Sequence, residues 1–423
     1  MKKTAAANML KTVLLTILLG LVAGIVIWCF LKAVSVCTGL LWERLPAALS
    51  FRYWPIPACA VGGLLIGLMH KRFGNYPEEL PVVMRKVKVD KYYDYHPMLV
   101  MLVCAFLPLL LGASVGPEAG LTGIIAALCY WVGDNVSYAK ENATLYSEVG
   151  EAVTLGQLFH SPLFGILAVE ESSDPRASDF HLSRLSKLVF YGLSTAMSFL
   201  AIGLLNRLIG PAGSGFPSFS DFAAGAGDYV LLVLYIPVGI LLYLVFEWAE
   251  KLFRGAADRV PTILREIIGG AVIGIVALLA PVLLFSGEEQ MGILMDTFGR
   301  YAPLLLIGVC LLKIVMTAFS IRFGFIGGHF FPLIFACVCM GYGLAMFIFP
   351  DPGSHVVFAA GAVTAATLGA QLRKPLAASM LMLLCFPVRM LFWLFLAAAL
   401  GAQIAKLLTR GHRAEDTDKT AAH

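Results

Sequence analysis

Apolar stretches recur from one end of the chain to the other, near residues 9–41, 53–69, 97–115, 121–133, 152–169, 184–209, 229–249, 264–286, 302–320, 325–349, 355–370 and 376–408. A helix needs about 20 apolar residues to cross a hydrocarbon core of roughly 30 Å, and several of these stretches reach that length. Others are shorter, or interrupted by Gly and Pro, and predict helices that enter the membrane partway or break inside it. No period-two alternation runs through them, and lipid tolerates only helices or closed barrels. The pattern therefore predicts an all-α polytopic membrane protein.

Composition supports the same solvent. Of 423 residues, 59% are hydrophobic and 14% are charged, and the mean hydropathy is +0.83; soluble domains carry about 25% charged residues. The net charge is only +4, but its placement is informative. Lys2, Lys3 and Lys11 precede or open the first apolar run, and Lys406, Arg410 and Arg413 close the last, which predicts cytoplasmic termini. The first run exceeds a signal-peptide core and lacks a small-residue cleavage site, so it reads as a retained helix. The nine cysteines lie mostly in apolar segments, without CxxC or Cys/His spacing, which predicts core residues and no metal site. No phosphate loop, catalytic triad or nucleic-acid patch is present, so neither an enzyme nor a cofactor is expected.

A repeat lies in the glycines and prolines. The segment "GGLLIG" at 62–67 returns as "GGAVIG" at 269–274, an offset of 207 residues. "SPLFGILAV" at 161–169 corresponds to "KPLAASMLM" at 374–382, an offset of 213, and between these pairs lie "GPEAGLTGII" at 116–125 and "GGHFFPLIFA" at 327–336. Landmark order and spacing are kept across two halves. The organisation expected is an N-terminal end with the first helix (1–49), a first half (50–210), a linker (211–228), a second half (229–408) and a polar tail (409–423). Duplicated halves, often inverted, are typical of membrane transporters, with the substrate site at the repeat interface near mid-membrane.

Within this frame the stretch "GASVGPEAGLTG", Gly112 to Gly123, places one acid among breakers of helix. Glycines weaken a continuous helix, and Pro117 lacks an amide and suits only a first turn. The reading is a loop over Gly112–Pro117 and a helix starting at Glu118. Amides at a helix start carry partial positive charge and favour an anion. The second half repeats the device at "GFIGGHFFP", with Gly327 and Gly328 before Pro332, and a third break is "FGNYPEEL" at 73–80. Three such breaks would aim three sets of amides at one anion; packing glycines and kinks are the alternative. An acid inside a membrane is costly and usually functional, which singles out Glu118.

These segments resemble the CLC family of chloride channels and proton-coupled anion transporters. "GPEAG" at 116–120 is similar to the family's G(K/R)EGP motif, "GHFFP" at 328–332 matches GxFxP, and "FGNYPEE" resembles a shortened GSGIPE. "SPLFGILAVEE" at 161–171 is similar to the APLxGxLFxxEE helix, and together the segments cover about residues 20–410. The resemblance implies two repeated, inverted halves whose broken helices meet at a mid-membrane anion site, and a homodimer in a bacterial inner membrane. It places Glu118 on the gating glutamate and Gly116, in the same loop, among the anion-binding residues. Gly328, His329 and Phe330 fall where backbone amides hold the central anion, and Asn75 falls near a serine that binds it. Glu171 is the candidate for the inner proton-transfer acid, although an ungapped alignment puts Ser172 there. Three departures stand out. Pro117 replaces a basic residue, Gly120 replaces a proline, and no tyrosine follows Tyr342, so the family's inner tyrosine has no counterpart. The expected partners are chloride or a similar small anion, protons and the lipid bilayer. Exchange against protons, passive conduction and fluoride export all remain open, as do an anion-attracting and an ion-pairing role for the mid-helix Lys313.

Overall fold

The computed structural model describes residues 2–421, apart from 50, 91, 136–142, 159–160, 173–183, 214–216, 220–221, 223 and 354. The described residues are helical, with no strand longer than a single bridge. Among the described residues, eight helices are long and apolar enough to cross a membrane. The chain forms two compact units, one of Met1–Ser214, Ala256–Phe285 and Ser320–His329, the other of Gly215–Gly255, Ser286–Phe319 and Phe330–His423.

The first unit holds α1 (Lys2–Gly39), α2 (Leu45–Leu49), α3 (Pro55–Phe73), α4 (Leu80–Arg85), α5 (Met98–Leu110), α6 (Glu118–Asn135), α7 (Ala143–Leu158), α8 (Pro162–Ser172), α9 (Arg184–Leu208) and α11 (Thr262–Leu279). Pro55 opens α3, and Gly74, at a φ of +96°, ends it by donating its N–H to His70 O at 3.0 Å. The apolar stretch near 97–115 is helical only to Leu110, after which Gly112 takes a φ of +77°.

The repeated "GGLLIG" and "GGAVIG" segments are the facing surfaces of α3 and α11. A β-carbon on Gly63 would strike Glu266 and Ile267, and one on Gly270 would strike Cys59 and Ala60. Gly67 likewise abuts Ile263, and Gly274 abuts Ile56. Shifting by the 207-residue offset turns 63 into 270, 59 into 266 and 56 into 263, so each contact is the image of another. Contact residues rise along one helix as they fall along the other, so the two copies run antiparallel. This is a pseudo-two-fold contact between inverted copies, and the small residues allow the backbones to close on each other.

The second unit holds α10 (Ala226–Ala257), α12 (Glu288–Thr297), most of α13 (Pro303–Arg322), α14 (Phe330–Ile348), α15 (His355–Leu372), α16 (Pro375–Met382) and α17 (Leu391–Ala421). It too is packed on small residues. Gly239 of α10 meets Val363 and Ala366 of α15, Gly341 of α14 meets Ala359 and Ala360, and Gly369 meets Ala398 of α17. The stretch near 376–408 is not one span. α16 stops at Met382, and the turn before α17 is tied down where Phe219 N–H donates to Cys385 O at 2.6 Å. Seven of the nine cysteines are buried and all are free thiols, as expected of core residues.

Candidate anion-binding site

The loop expected over Gly112–Pro117 is present, and α6 starts at Glu118. Phe285 N–H donates to Gly112 O at 3.1 Å, which fixes the beginning of the loop. At its end Gly116 pairs with Gly328 in an antiparallel bridge. Gly116 N–H donates to Gly328 O at 2.7 Å, and Gly328 N–H donates to Gly116 O at 2.8 Å. The first helical bond follows from Leu121 N–H to Pro117 O at 3.0 Å, and Thr122 Oγ1 donates to Glu118 O at 2.7 Å.

Glu118 is fully buried, at 0% exposure. Its carboxyl group lies against the Gly116–Gly328 bridge. A β-carbon on either glycine would overlap that carboxyl group, so the bridge must be built of two glycines for the acid to occupy this place. In this bridge Gly116 and Gly328 spend their N–H groups on each other. The next groups along the second break are those of His329 and of Phe330, the first residue of α14. N–H groups in the first turn of a helix have no carbonyl of their own helix to meet. His329 is half-buried and Phe330 buried.

The third break is the loop between α3 and α4, where Asn75 is exposed. It approaches the Glu118 helix through Pro77: a β-carbon on Gly120 would stand 4.0 Å from Pro77 Cγ and would overlap Ala105. Gly120, the departure from the motif's proline, is therefore a packing requirement of this chain. Arg322 Nη1 lies 3.4 Å from Glu79 Oε1, tying this loop to the end of α13. Glu171 belongs to the last turn of α8, and its side chain lies outside the described residues. Lys313 is fully buried, with its ammonium 5.7 Å from the centre of the Phe335 ring. Tyr342 is buried beside Phe219 and Phe298.

One buried cluster gave no signal in the sequence: His70 at the end of α3 bonded to Glu266 near the start of α11. His70 stands next to Lys71 and Arg72, and Glu266 next to Arg265, so each reads as one of the polar residues at a helix end.

Comparison with known proteins places this geometry. Several bacterial relatives carry the provisional name ion-transport protein YfeO. The one from Escherichia fergusonii is 26% identical over 412 residues, covering 93% of this chain and 94% of the relative. The one from Salmonella schwarzengrund is 26% identical over 418 residues, covering 93% and 96%. Among solved structures, a slow cyanobacterial Cl−/H+ antiporter superposes with a TM-score of 0.77 at 19% identity, covering 96% of this chain and 99% of that one. A CLC-type fluoride/proton antiporter gives a TM-score of 0.71 at 18% identity, covering 94% and 96%. These structural likenesses establish a shared fold. The family model described as voltage gated chloride channel matches residues 62–406, most of the chain and all three backbone breaks, and the chain belongs to that CLC family.

Proposed function

We propose that the protein carries a small monovalent anion, chloride in the first instance, across the membrane in exchange for protons, with Glu118 as the gate and the outer proton carrier. The observation that carries this reading is the seat of Glu118: a wholly buried acid held against a two-glycine bridge between repeat-equivalent backbone breaks. An ionised carboxylate there imitates the permeating anion, and on protonation it loses its reason to stay. The amides of His329 and Phe330 would hold the anion at the start of α14, with Asn75 contributing from the loop after α3, and Gly116 and Gly328 leaving room for the exchange of carboxylate and ion. Glu171, at the end of α8, is proposed as the inner proton acid.

The bacterial relatives and the apolar helices support a place in a bacterial inner membrane, with cytoplasmic termini from the flanking lysines and arginines. A homodimer with one pathway per subunit is the assembly proposed. Fluoride is the second candidate substrate, favoured by the likeness to a fluoride/proton antiporter.

The test is anion efflux from liposomes with simultaneous proton recording, for chloride and fluoride separately. Wild type should drive protons against their gradient when an anion gradient is imposed. Glu118→Gln, which mimics the protonated acid and carries no proton, should pass the anion without moving protons and with little dependence on external pH. Wild type that moves no protons would leave a passive channel gated by the same residue. Unchanged coupling in Glu118→Gln would remove Glu118 from the gate.

A further inference from the structure

Three successive carbonyl groups, where α5 runs into the loop before Glu118, are each held from a different part of the chain. Trp42 Nε1 donates to Leu110 O at 2.9 Å, Cys59 Sγ donates to Leu111 O at 3.5 Å, and Phe285 N–H donates to Gly112 O at 3.1 Å. The last carbonyls of a helix have no partner within it, so outside donors decide where the chain goes next. Trp42 does more than donate. A β-carbon on Gly112 would stand 3.1 Å from Trp42 Cζ2 and 3.5 Å from Phe285 Cζ, so the two rings close over the loop at the residue where it turns. The ring centres of Trp42 and Phe285 are 5.5 Å apart and those of Trp42 and Trp54 are 5.2 Å apart, both pairs edge to face.

Two irregularities of the backbone serve this contact. Residues Leu40–Arg44 form one π-turn after α1, closed by Leu45 N–H donating to Leu40 O, and Trp42 is its central residue. Such turns are wider than those of an α-helix and are frequent at functional positions. Phe285 has a φ of +57°, a conformation that an aromatic residue rarely adopts. A regular backbone would avoid both, and the two residues meet over Gly112.

The second half builds the same turn without this cover. The offset from Gly116 to Gly328, 212 residues, also relates Gly112 to Gly324, and both are left-handed, at φ of +77° and +90°. Ala113 N–H donates to Pro108 O at 3.0 Å, and its mate Phe325 N–H donates to Ser320 O at 2.9 Å. A β-carbon on Gly324 would meet Glu266, whereas one on Gly112 would meet aromatic rings. The rings therefore cover the loop that leads to an acid, while the matching loop, which leads to Phe330, has a carboxylate against its glycine.

We propose that Trp42 is a positioning residue of the gate: its indole N–H and ring clamp the turn at Gly112 and so hold Gly116, and with it the seat of the Glu118 carboxyl group, in place. Only four residues separate the clamped turn from the Gly116–Gly328 bridge, so a shift at the start of the loop reaches the seat. With the clamp loosened, the seat fits the carboxylate less well, the side chain leaves it without taking a proton, and anions pass uncoupled. The inference deepens the exchange reading and rests on it for what the loop serves.

A second tryptophan supplies the control. Trp28 is buried, and its Nε1 donates to Asn206 Oδ1 of α9 at 2.8 Å. Trp28→Phe and Trp42→Phe remove the same donor from the same apolar span, Met9–Ala47, but only the second bond belongs to the loop. Chloride and fluoride fluxes of the full-length protein in liposomes, with protons recorded together at fixed neutral pH, should distinguish them. Trp42→Phe, which keeps a ring over Gly112, should raise anion flux and lower the protons moved per anion, each by up to roughly fivefold, the equilibrium factor of one hydrogen bond. Trp42→Leu should go further in the same direction, and Trp28→Phe should match wild type in both. In a Glu118→Gln background, where no carboxylate competes for the seat, Trp42→Phe should leave flux unchanged. Hydrogen–deuterium exchange should show the amides of residues 112–116 losing protection in Trp42→Phe and not in Trp28→Phe. Wild-type flux and coupling in Trp42→Phe, equal changes in Trp28→Phe, or the same rise in flux with Glu118→Gln would each overturn the clamp. Wild type that passes anions without protons would reject exchange, and a flux rise confined to Trp42→Phe with native Glu118 would still uphold the clamp. Absence of anion movement in every variant, with loop protection lost as described, would reject the transport reading and uphold the hold of Trp42 on the loop. Should Trp42→Leu not fold, the two Phe variants still decide.

Discussion

Gly328→Ala is the most direct probe of the Glu118 seat. The added methyl group would fall inside the carboxyl group of Glu118, overlapping three of its side-chain atoms. The φ of Gly328 is not in the left-handed region, so backbone strain does not enter. Two responses are open to the protein: the carboxyl group, the far end of a flexible side chain, can leave its seat, or the Gly116–Gly328 bridge can spread. Spreading would stretch two hydrogen bonds of 2.7 and 2.8 Å, each worth about 1 kcal/mol net. Overpacking a tight site costs about 1–3 kcal/mol, so the side chain should move first. The expected phenotype is a gate held open: anion flux retained, weak pH dependence and poor proton coupling, as in Glu118→Gln. Glu118→Ala removes the atoms in conflict and should tolerate Gly328→Ala with little further cost. A double-mutant cycle in stability should therefore show a coupling energy of roughly 1–3 kcal/mol, read from detergent melting and parallel flux assays. Equal destabilisation by Gly328→Ala in the presence and absence of the Glu118 side chain would refute the placement of the carboxyl group on the bridge.

Two further outcomes follow from the same structure. His329→Ala should retain most anion flux because the contribution assigned to it is a backbone amide, whereas Pro332→Leu, at the third position of α14, should abolish flux by disturbing the helix start; loss of flux in a folded His329→Ala protein would make the imidazole the ligand. Glu288 opens α12, outside the eight candidate spans, and burial pushes its carboxyl up to about 7 from 4.5 against the opposing hydrogen bond of Ser286. Between these values the folded protein holds the proton that the unfolded chain releases, so stability should fall as pH rises through that window. Glu288→Gln should flatten the melting midpoint across it, and an unchanged slope would show that Glu288 does not titrate there.

How much of this was legible in the sequence depended on the kind of residue that carried it. Glycine and proline act locally, so "GASVGPEAG" disclosed a loop and a helix start at Glu118, and "GGHFFP" disclosed the start of α14 within a residue or two. The repeat went further. Its 207-residue offset marked Gly63 and Gly270 as equivalents, and the structure makes them reciprocal contacts of one antiparallel helix pair. What stayed hidden were relations between groups that carry no pattern. The mutual use of the Gly116 and Gly328 amides is invisible because a backbone N–H has no letter. His70 and Glu266 are 196 residues apart and are not repeat mates, so no periodicity joins them. The break between α16 and α17 falls in an apolar run where Pro387 is the only proline, and is held by Phe219 from far along the chain.

That division has a functional sense. The offset that relates Gly116 to Gly328 along the sequence also relates Glu118 to Phe330, so the first residue of α6 is an acid where the first residue of α14 is apolar. A wholly symmetric pair of breaks would present the same groups to both faces of the membrane, with nothing to distinguish an anion arriving from outside from one arriving from inside. The symmetric parts, α3 against α11 and glycine against glycine, supply a close and rigid frame. Departures from symmetry include ionisable residues: Glu118 corresponds in sequence to Phe330, and Glu266 to Cys59. In the exchange reading, a proton can change the occupancy of the site only through groups that the repeat does not duplicate, and those are the groups found against its glycines.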